Sequence, residues 1–215
     1  MHFKTEITMN TASHLYIFLI VTMVGSFALA PSSHAQTPIE WNGFNSDWYE
    51  PANWQYTGPG TATLPTSALN ASVTGGTFGP LISSGAAEAM NFQLGIAGAG
   101  SGSNFGLTVR DTGQLTTGFM FIGGDSAGSI FSSTVTGNGN LTIESGGKVY
   151  ATSLLSGQNV NFPPATTPQN FITVDGTGSL LDLSQDLVLG INGVAQFDVE
   201  NGGNVNARDI IMGQN

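Results

Sequence analysis

The fold is decided by a stretch that reads Ile172-Thr173-Val174-Asp175-Gly176-Thr177-Gly178-Ser179-Leu180 and then Leu187-Val188-Leu189-Gly190. The pattern is two apolar residues separated by a polar one, a turn that contains glycine, a further apolar residue and an apolar triplet closed by glycine. Four copies of this pattern can be aligned, at residues 107–124, 141–157, 172–190 and 197–213. Self-similarity of this kind identifies a repeat protein, in which each unit buries its apolar face against its neighbours.

The alternation inside each copy indicates strands. In Leu141-Thr142-Ile143 and Phe197-Asp198-Val199 the apolar residues lie two apart, which is the spacing of a strand with one buried face. Each run is short, contains or adjoins glycine and is rich in Val, Ile, Thr and Phe, which disfavours a helix. We therefore predict an all-β fold, a single-stranded parallel β-solenoid (β-helix) of short strands.

Stacked coils place equivalent residues next to each other, so the alignment also predicts the interior. One inward ladder should consist of Leu107, Leu141, Ile172 and Phe197. A second should consist of Val109, Ile143, Val174 and Val199. The turn glycines are expected where the backbone needs a positive φ or a close approach, and they are Gly113, Gly147, Gly178 and Gly203.

The apolar triplets predict a second, outward feature. If Leu187 and Leu189 point inward, then Val188 must point out, because successive side chains of a strand alternate. The same phase gives an exposed apolar stripe of Phe121, Leu155, Val188 and Ile211. We expect this stripe to pack against a loop, a partner or a following part of a longer chain.

The repeat resembles a known family, the repeat shared by type V autotransporter passengers and proteins with PEP-CTERM sorting tails. The likeness rests on Val-x-Gly-x-Gly-Ser-Leu at 174–180, Leu-Val-Leu-Gly at 187–190 and Val-Glu-Asn-Gly-Gly-x-Val at 199–205. It covers the second half of the chain well and residues 107–124 loosely. The resemblance implies a parallel β-solenoid displayed outside a Gram-negative cell, and it supplies no catalytic residues.

Residues 1–35 have the organisation of a secretory signal peptide, which we expect to be helical. Lys4 is followed by the uncharged run Leu15 to Ala30, and Ser33-His34-Ala35 has the small-x-small form of a cleavage site. Ala28-Leu29-Ala30 is a competing site, but cleavage there would leave a proline at the new N-terminus. The run is shorter than the roughly 20 residues that span a bilayer, so export is favoured over membrane anchoring.

Composition restricts the chemistry of the mature chain. All three histidines fall within residues 1–35 and the chain has no cysteine, which removes the usual transition-metal ligands and the commonest general base. The formal charge of −10 argues against nucleic acid and anionic lipid as partners. The sequence therefore predicts no metal, no cofactor, no nucleic-acid partner and no stable membrane span after cleavage.

Residues 36–70 contain all three tryptophans of the chain, which are Trp41, Trp48 and Trp54. We interpret the region as an N-terminal cap that covers the open end of the solenoid at residues 71–215, because a repeat stack needs such a cover. The alternative is a carbohydrate-binding platform in which the exposed rings stack on a glycan.

One serine–lysine spacing and two carboxylate pairs are candidates for catalysis. The Ser145 to Lys148 spacing fits a Ser-x-x-Lys pattern, but that motif must open a helix and here it lies in a Gly-Gly turn. Two carboxylate pairs could flank a glycosidic bond in a polysaccharide-active β-helix enzyme, namely Asp182 with Asp186 and Asp198 with Glu200. A cluster of three or more acids in one groove would favour that enzyme.

The sequence favours a structural or adhesive solenoid over an enzyme. We expect the N-terminal part of a surface-displayed, autotransporter-type passenger, exported through the inner membrane and able to meet a surface glycan or a protein receptor. Because the last repeat, ending near Gly213, carries no capping element after it, we expect either further repeats or self-association.

Overall fold

The computed structural model describes residues 39–56, 63–73, 78–95, 104–123, 138–156, 170–190 and 194–213. The predicted signal peptide and its helix lie outside these residues. Within the described ranges the chain forms strands joined by turns, with one 3₁₀ turn at Pro51–Asn53. The strands are β1 (Ile39–Trp41), β2 (Trp54–Tyr56), β3 (Ala71–Val73), β4 (Leu81–Ile82), β5 (Ala86–Ala89), β6 (Phe92–Leu94), β7 (Asn104–Arg110), β8 (Gln114–Ile122), β9 (Asn138–Glu144), β10 (Lys148–Ser156), β11 (Asn170–Asp175), β12 (Leu180–Leu183), β13 (Leu187–Leu189), β14 (Ala195–Glu200), β15 (Asn204–Asn206) and β16 (Ile210–Met212).

The strands build two sheets. A five-stranded sheet has the order β14-β11-β9-β7-β4, and all its pairs are parallel. The other sheet has eleven strands, with β15-β12-β10-β8-β6-β3-β1-β2 as its main path and with β5, β13 and β16 beside that path. Each coil contributes one strand to the first sheet, turns, and then contributes one long strand or two short strands to the second. The predicted all-β fold, a parallel β-solenoid, is confirmed.

The two predicted inward ladders form in register. Leu107 pairs with Leu141, Leu141 with Ile172, and Ile172 with Phe197. The second ladder follows the same pairing two residues later. In the first three coils of both ladders the side chains are fully buried, so the alternation read from the sequence gives the correct buried face.

The turn glycines serve two different purposes. A Cβ at Gly113, Gly147 or Gly203 would collide with a backbone carbonyl oxygen of the preceding coil, so these positions need a close approach. Gly178 instead has a φ of +88° and no such obstruction. Glycine is therefore needed at these turns, either for the close approach of two coils or for a positive φ, as predicted.

The N-terminal region is a cap with its own hydrogen bonding. β1 runs parallel to β3 and extends the eleven-stranded sheet, while β2 pairs antiparallel with β1 and ends it. The ring of Trp54 lies edge to face between those of Trp41 and Trp48, with centroid separations of 5.0 and 4.7 Å. The predicted aromatic cap is present, and it includes two strands that the sequence pattern did not predict.

Candidate functional site

The three tryptophans lie inside the cap. Trp41, Trp48 and Trp54 are each 1% exposed. The indole nitrogen of Trp41 donates a hydrogen bond to the backbone oxygen of Phe78 at 2.7 Å, so its polar edge is also engaged. A glycan needs an open ring face for stacking, and these rings offer none. The carbohydrate platform considered for these residues is therefore corrected to a buried core.

Two other aromatic rings are exposed in the same part of the fold. The side chain of Phe44 is 72% exposed and that of Phe78 is 50% exposed. Both lie in segments without regular structure, one after Asn42-Gly43 and one before Gly79. The sequence reasoning missed them because it weighed tryptophan alone. The available signal was an aromatic residue set among turn-forming residues, where no strand alternation assigns it to a buried face.

The four residues of the predicted stripe lie side by side. Leu155 pairs with Phe121 on one side and with Val188 on the other, and Val188 pairs with Ile211. Each of the four is partly exposed. The neighbouring Leu187 and Leu189 are buried, so Val188 points away from the interior.

The stripe continues to Gln93, which pairs with Phe121. Gln93 is fully buried, and neither polar atom of its side-chain amide has a hydrogen-bond partner. A buried amide without partners costs about 1–3 kcal/mol of folding free energy. The residue at the N-terminal end of the stripe, Gln93, is thus buried, whereas Ile211 at the other end is partly exposed.

The two candidate carboxylate pairs lie in different sheets, and Glu200 of one pair stands beside Asp175, which in turn stands beside Glu144. Asp186 is held by Arg208, whose Nε and Nη2 donate to its two oxygens at 3.1 and 2.9 Å, and this hydrogen bond and charge raise the pKa of the guanidinium. Asp198 accepts a hydrogen bond from Gln196 at 2.6 Å on the outer face of β14. Asp182 lies on β12, in the other sheet. In the described part of the chain no three His, Cys, Asp or Glu residues group together as metal ligands would.

The Ser145 to Lys148 motif lies in a turn between two strands. Ser145 has a φ of +53° at the end of β9, and Lys148 begins β10. A nucleophilic serine and its lysine need to share one face of a helix for this chemistry. The strand-turn-strand context does not provide that arrangement.

The last coil presents an apolar surface. Val199, Ile210 and Met212 occupy inward positions but are 46%, 50% and 68% exposed. Their partners in the preceding coil are Val174, Leu187 and Leu189, and all of these are buried. Among the described residues, the last inward positions of β14 and β16 are therefore more exposed than their partners one coil earlier.

No family model, curated protein or solved structure matches the chain. Among the described residues no helix is long and apolar enough to cross a membrane.

Proposed function

We propose that the chain is an exported structural or adhesive β-solenoid, the N-terminal part of a surface-displayed passenger of the autotransporter type. The observation that carries the proposal is the continuous parallel stack, in which β7, β9, β11 and β14 pair in register behind an aromatic cap. Such a stack presents long regular outer faces, which suits display and contact.

The distribution of charge supports a scaffold over an enzyme. The acids lie on outer strand faces or in ion pairs, as Asp186 does with Arg208. Catalysis by paired acids needs carboxylates that converge on one bond. The two candidate pairs do not form one site, because Asp182 and Asp198 belong to different sheets. Glu200 instead lies in a row with Asp175 and Glu144 along the outer face of the five-stranded sheet.

Export is tested by expressing residues 1–215 in a Gram-negative host and sequencing the N-terminus of the product. Cleavage after Ala35 should give a chain that begins at Gln36 and is found outside the inner membrane. The control is Ala35→Leu, which places a large residue where signal peptidase needs a small one and should retain the precursor. Unprocessed wild-type chain in the cytoplasm would contradict the proposal.

Adhesion is tested by binding the mature chain to an array of glycans and to host-cell surface proteins. If the cap region makes the contact, Phe44→Ser and Phe78→Ser should weaken binding, because these rings are the exposed aromatic groups there. Trp48→Phe serves as the comparison, since a buried ring does not touch a ligand. If neither the wild-type chain nor any variant binds, the adhesive role is contradicted and the structural role alone is retained.

A further inference from the structure

Two exposed phenylalanine rings start from neighbouring segments beside the N-terminal cap. Asp47 and Leu81 form a parallel bridge, in which the N–H of Leu81 donates to the backbone oxygen of Ser46 at 2.7 Å. Phe44 and Phe78 each precede this bridge by three residues. We call these two side chains the aromatic pair.

The buried Trp41 limits the distance between the two members of the pair. Its indole nitrogen donates to the backbone oxygen of Phe78, so the Phe78 backbone lies against the edge of the Trp41 ring. Phe44 follows Trp41 by three residues, so the Cα atoms of these two residues are at most about 11 Å apart. The aromatic pair therefore belongs to one small area of surface, and a single extended ligand is able to reach both rings.

The backbone next to Phe44 is held by a buried side chain. Asn53 is fully buried, and its Nδ2 donates to Oδ1 of Asn45 and to the backbone oxygen of Asp47, both at 2.7 Å. Its Oδ1 accepts from the N–H of Asn45 at 3.2 Å. A ring on a fixed backbone loses little conformational entropy when a ligand binds to it.

The backbone next to Phe78 is fixed by close packing. A Cβ at Gly79 would collide with the backbone oxygen of Gly106 on β7, so this segment lies directly against the strand. The bond from Trp41 holds the preceding carbonyl group, while the ring of Phe78 stays open to solvent. Both rings are thus presented on rigid supports.

The polar groups beside Phe44 suit the hydroxyl groups of a sugar. The side chain of Asn42 is exposed, and its amide makes no hydrogen bond within the described residues. The amide oxygen of Asn45 accepts from Asn53 and from the N–H of Asp47. A hydroxyl both donates and accepts hydrogen bonds, so it pairs with either half of an amide. Aromatic rings with a few polar groups beside them are typical of ligand sites.

The charge of this part of the chain favours a neutral ligand. Residues 36–109 contain no Lys, Arg or His, and their charged residues are Glu40, Asp47, Glu50 and Glu88. Acidic glycans and other anions are repelled by such a region. Asp47 and Glu50 each accept a hydrogen bond from a backbone N–H of their own loop, so these carboxylates already help to hold it.

We propose that the aromatic pair binds a neutral glycan, with one sugar stacked on each ring. The face of an aromatic ring is slightly negative and the C–H groups of a sugar are slightly positive, so the contact is attractive. Hydroxyl groups of the sugar on Phe44 bond to the amides of Asn42 and Asn45. This site rests on the adhesive part of the proposed function, to which it adds a location and a class of ligand.

Binding is measured by calorimetric titration of residues 36–215, a compact unit of the fold. The probes are neutral oligosaccharides of glucose, mannose and galactose, with polygalacturonate as an acidic comparison, and we expect a neutral probe alone to bind. Phe44→Ala and Phe78→Ala should each raise the dissociation constant about tenfold. Phe44→Trp keeps an open ring face and should retain binding. Phe119→Ala is the control, because it removes an exposed ring from β8 and should leave binding unchanged.

The outcomes distinguish this site from the adhesive role itself. Equal glycan binding by wild type and both cap-side alanine variants would overturn the site and leave adhesion standing. Binding of polygalacturonate or polylysine in place of a neutral glycan, weakened by salt as contacts between exposed charges are, would overturn the class of ligand. A wild-type chain that binds a host protein but no glycan would overturn the site alone, whereas a chain that binds neither would overturn both the site and the adhesive role.

Discussion

The indole nitrogen of Trp54 donates a hydrogen bond to the backbone oxygen of Trp48 at 2.9 Å, and the two rings meet edge to face. Burial of the two rings and the hydrogen bond of the Trp54 indole N–H therefore both stabilise the cap. Trp48 also contacts Phe92 of β6 with a centroid distance of 5.6 Å, which connects the cap to the first coil. The cap acts as the first layer of the core.

Trp48→Ala should lower the free energy of unfolding by about 3–5 kcal/mol, because it opens a large cavity between the cap and the first coil. Phe44→Ala removes an exposed ring and should change it by less than about 0.5 kcal/mol. Urea denaturation of residues 36–215 measures both. Equal effects of the two substitutions would show that Trp48 is not part of the core.

The ladders could be predicted from sequence because their signal is local and repeated. Leu141 and Ile143 share one face of a strand by alternation alone, and the four aligned copies determine which coils are neighbours. The turn at Gly147 followed from the same alignment. Repetition supplied the long-range information that a single strand lacks.

The presence of a cap could be predicted from the clustered tryptophans, but the pairing of its strands could not. β1 and β2 are three residues each, and nothing in Ile39 to Trp41 indicates that this segment pairs parallel to β3 and antiparallel to β2 at once. The burial of the tryptophans depends on that pairing. Composition indicated that large rings are present, but whether a ring covers a core or faces solvent is decided by tertiary contacts.

Gly147→Ala should destabilise the fold, since the new methyl group would meet the backbone oxygen of Val109 in the preceding coil. We expect a loss of about 1–3 kcal/mol, because backbone cannot move aside without disturbing the stack. The matched control is Gly106→Ala in β7, where the nearest atom to the new Cβ is 3.6 Å away.

The control should be neutral or stabilising by up to about 1 kcal/mol, through the lower entropy of the unfolded chain. Both proteins are compared by urea denaturation. A tolerated Gly147→Ala would mean that the coils can separate locally at this corner.

Alkaline pH should weaken the fold through Tyr49. Burial raises the pKa of the Tyr49 phenol above its ordinary value of 10, and the charge of Asp47 raises it further. A group with a raised folded-state pKa contributes stability that is complete below its unfolded pKa and is lost as pH rises through the folded pKa. Stability should therefore fall above about pH 10.

Tyr49→Phe should reduce this alkaline loss. Near neutral pH it should be harmless, because the Tyr49 hydroxyl is buried without a hydrogen-bond partner. Urea denaturation at pH 8 and above pH 10 measures the difference between wild type and variant. An identical pH dependence of the two proteins would show that Tyr49 ionises equally well in the folded and unfolded states.

The Ser179 hydroxyl hydrogen-bonds to two successive turns. Its removal should therefore lower the free energy of unfolding by more than the loss of one small polar group suggests. Its hydroxyl donates to the backbone oxygen of Asp175 at 2.6 Å and accepts from the N–H of Gly146, in the preceding coil, at 3.0 Å. Ser179 is fully buried, so Ser179→Ala leaves both backbone groups without this partner, and we expect a loss of about 1–3 kcal/mol in the free energy of unfolding.

Ser184→Ala is the control, because it removes an exposed hydroxyl from the same coil and should change the free energy of unfolding by less than about 0.5 kcal/mol. Faster hydrogen exchange at Gly146 in the first variant alone would locate the loss at this contact, and unchanged exchange there would contradict it.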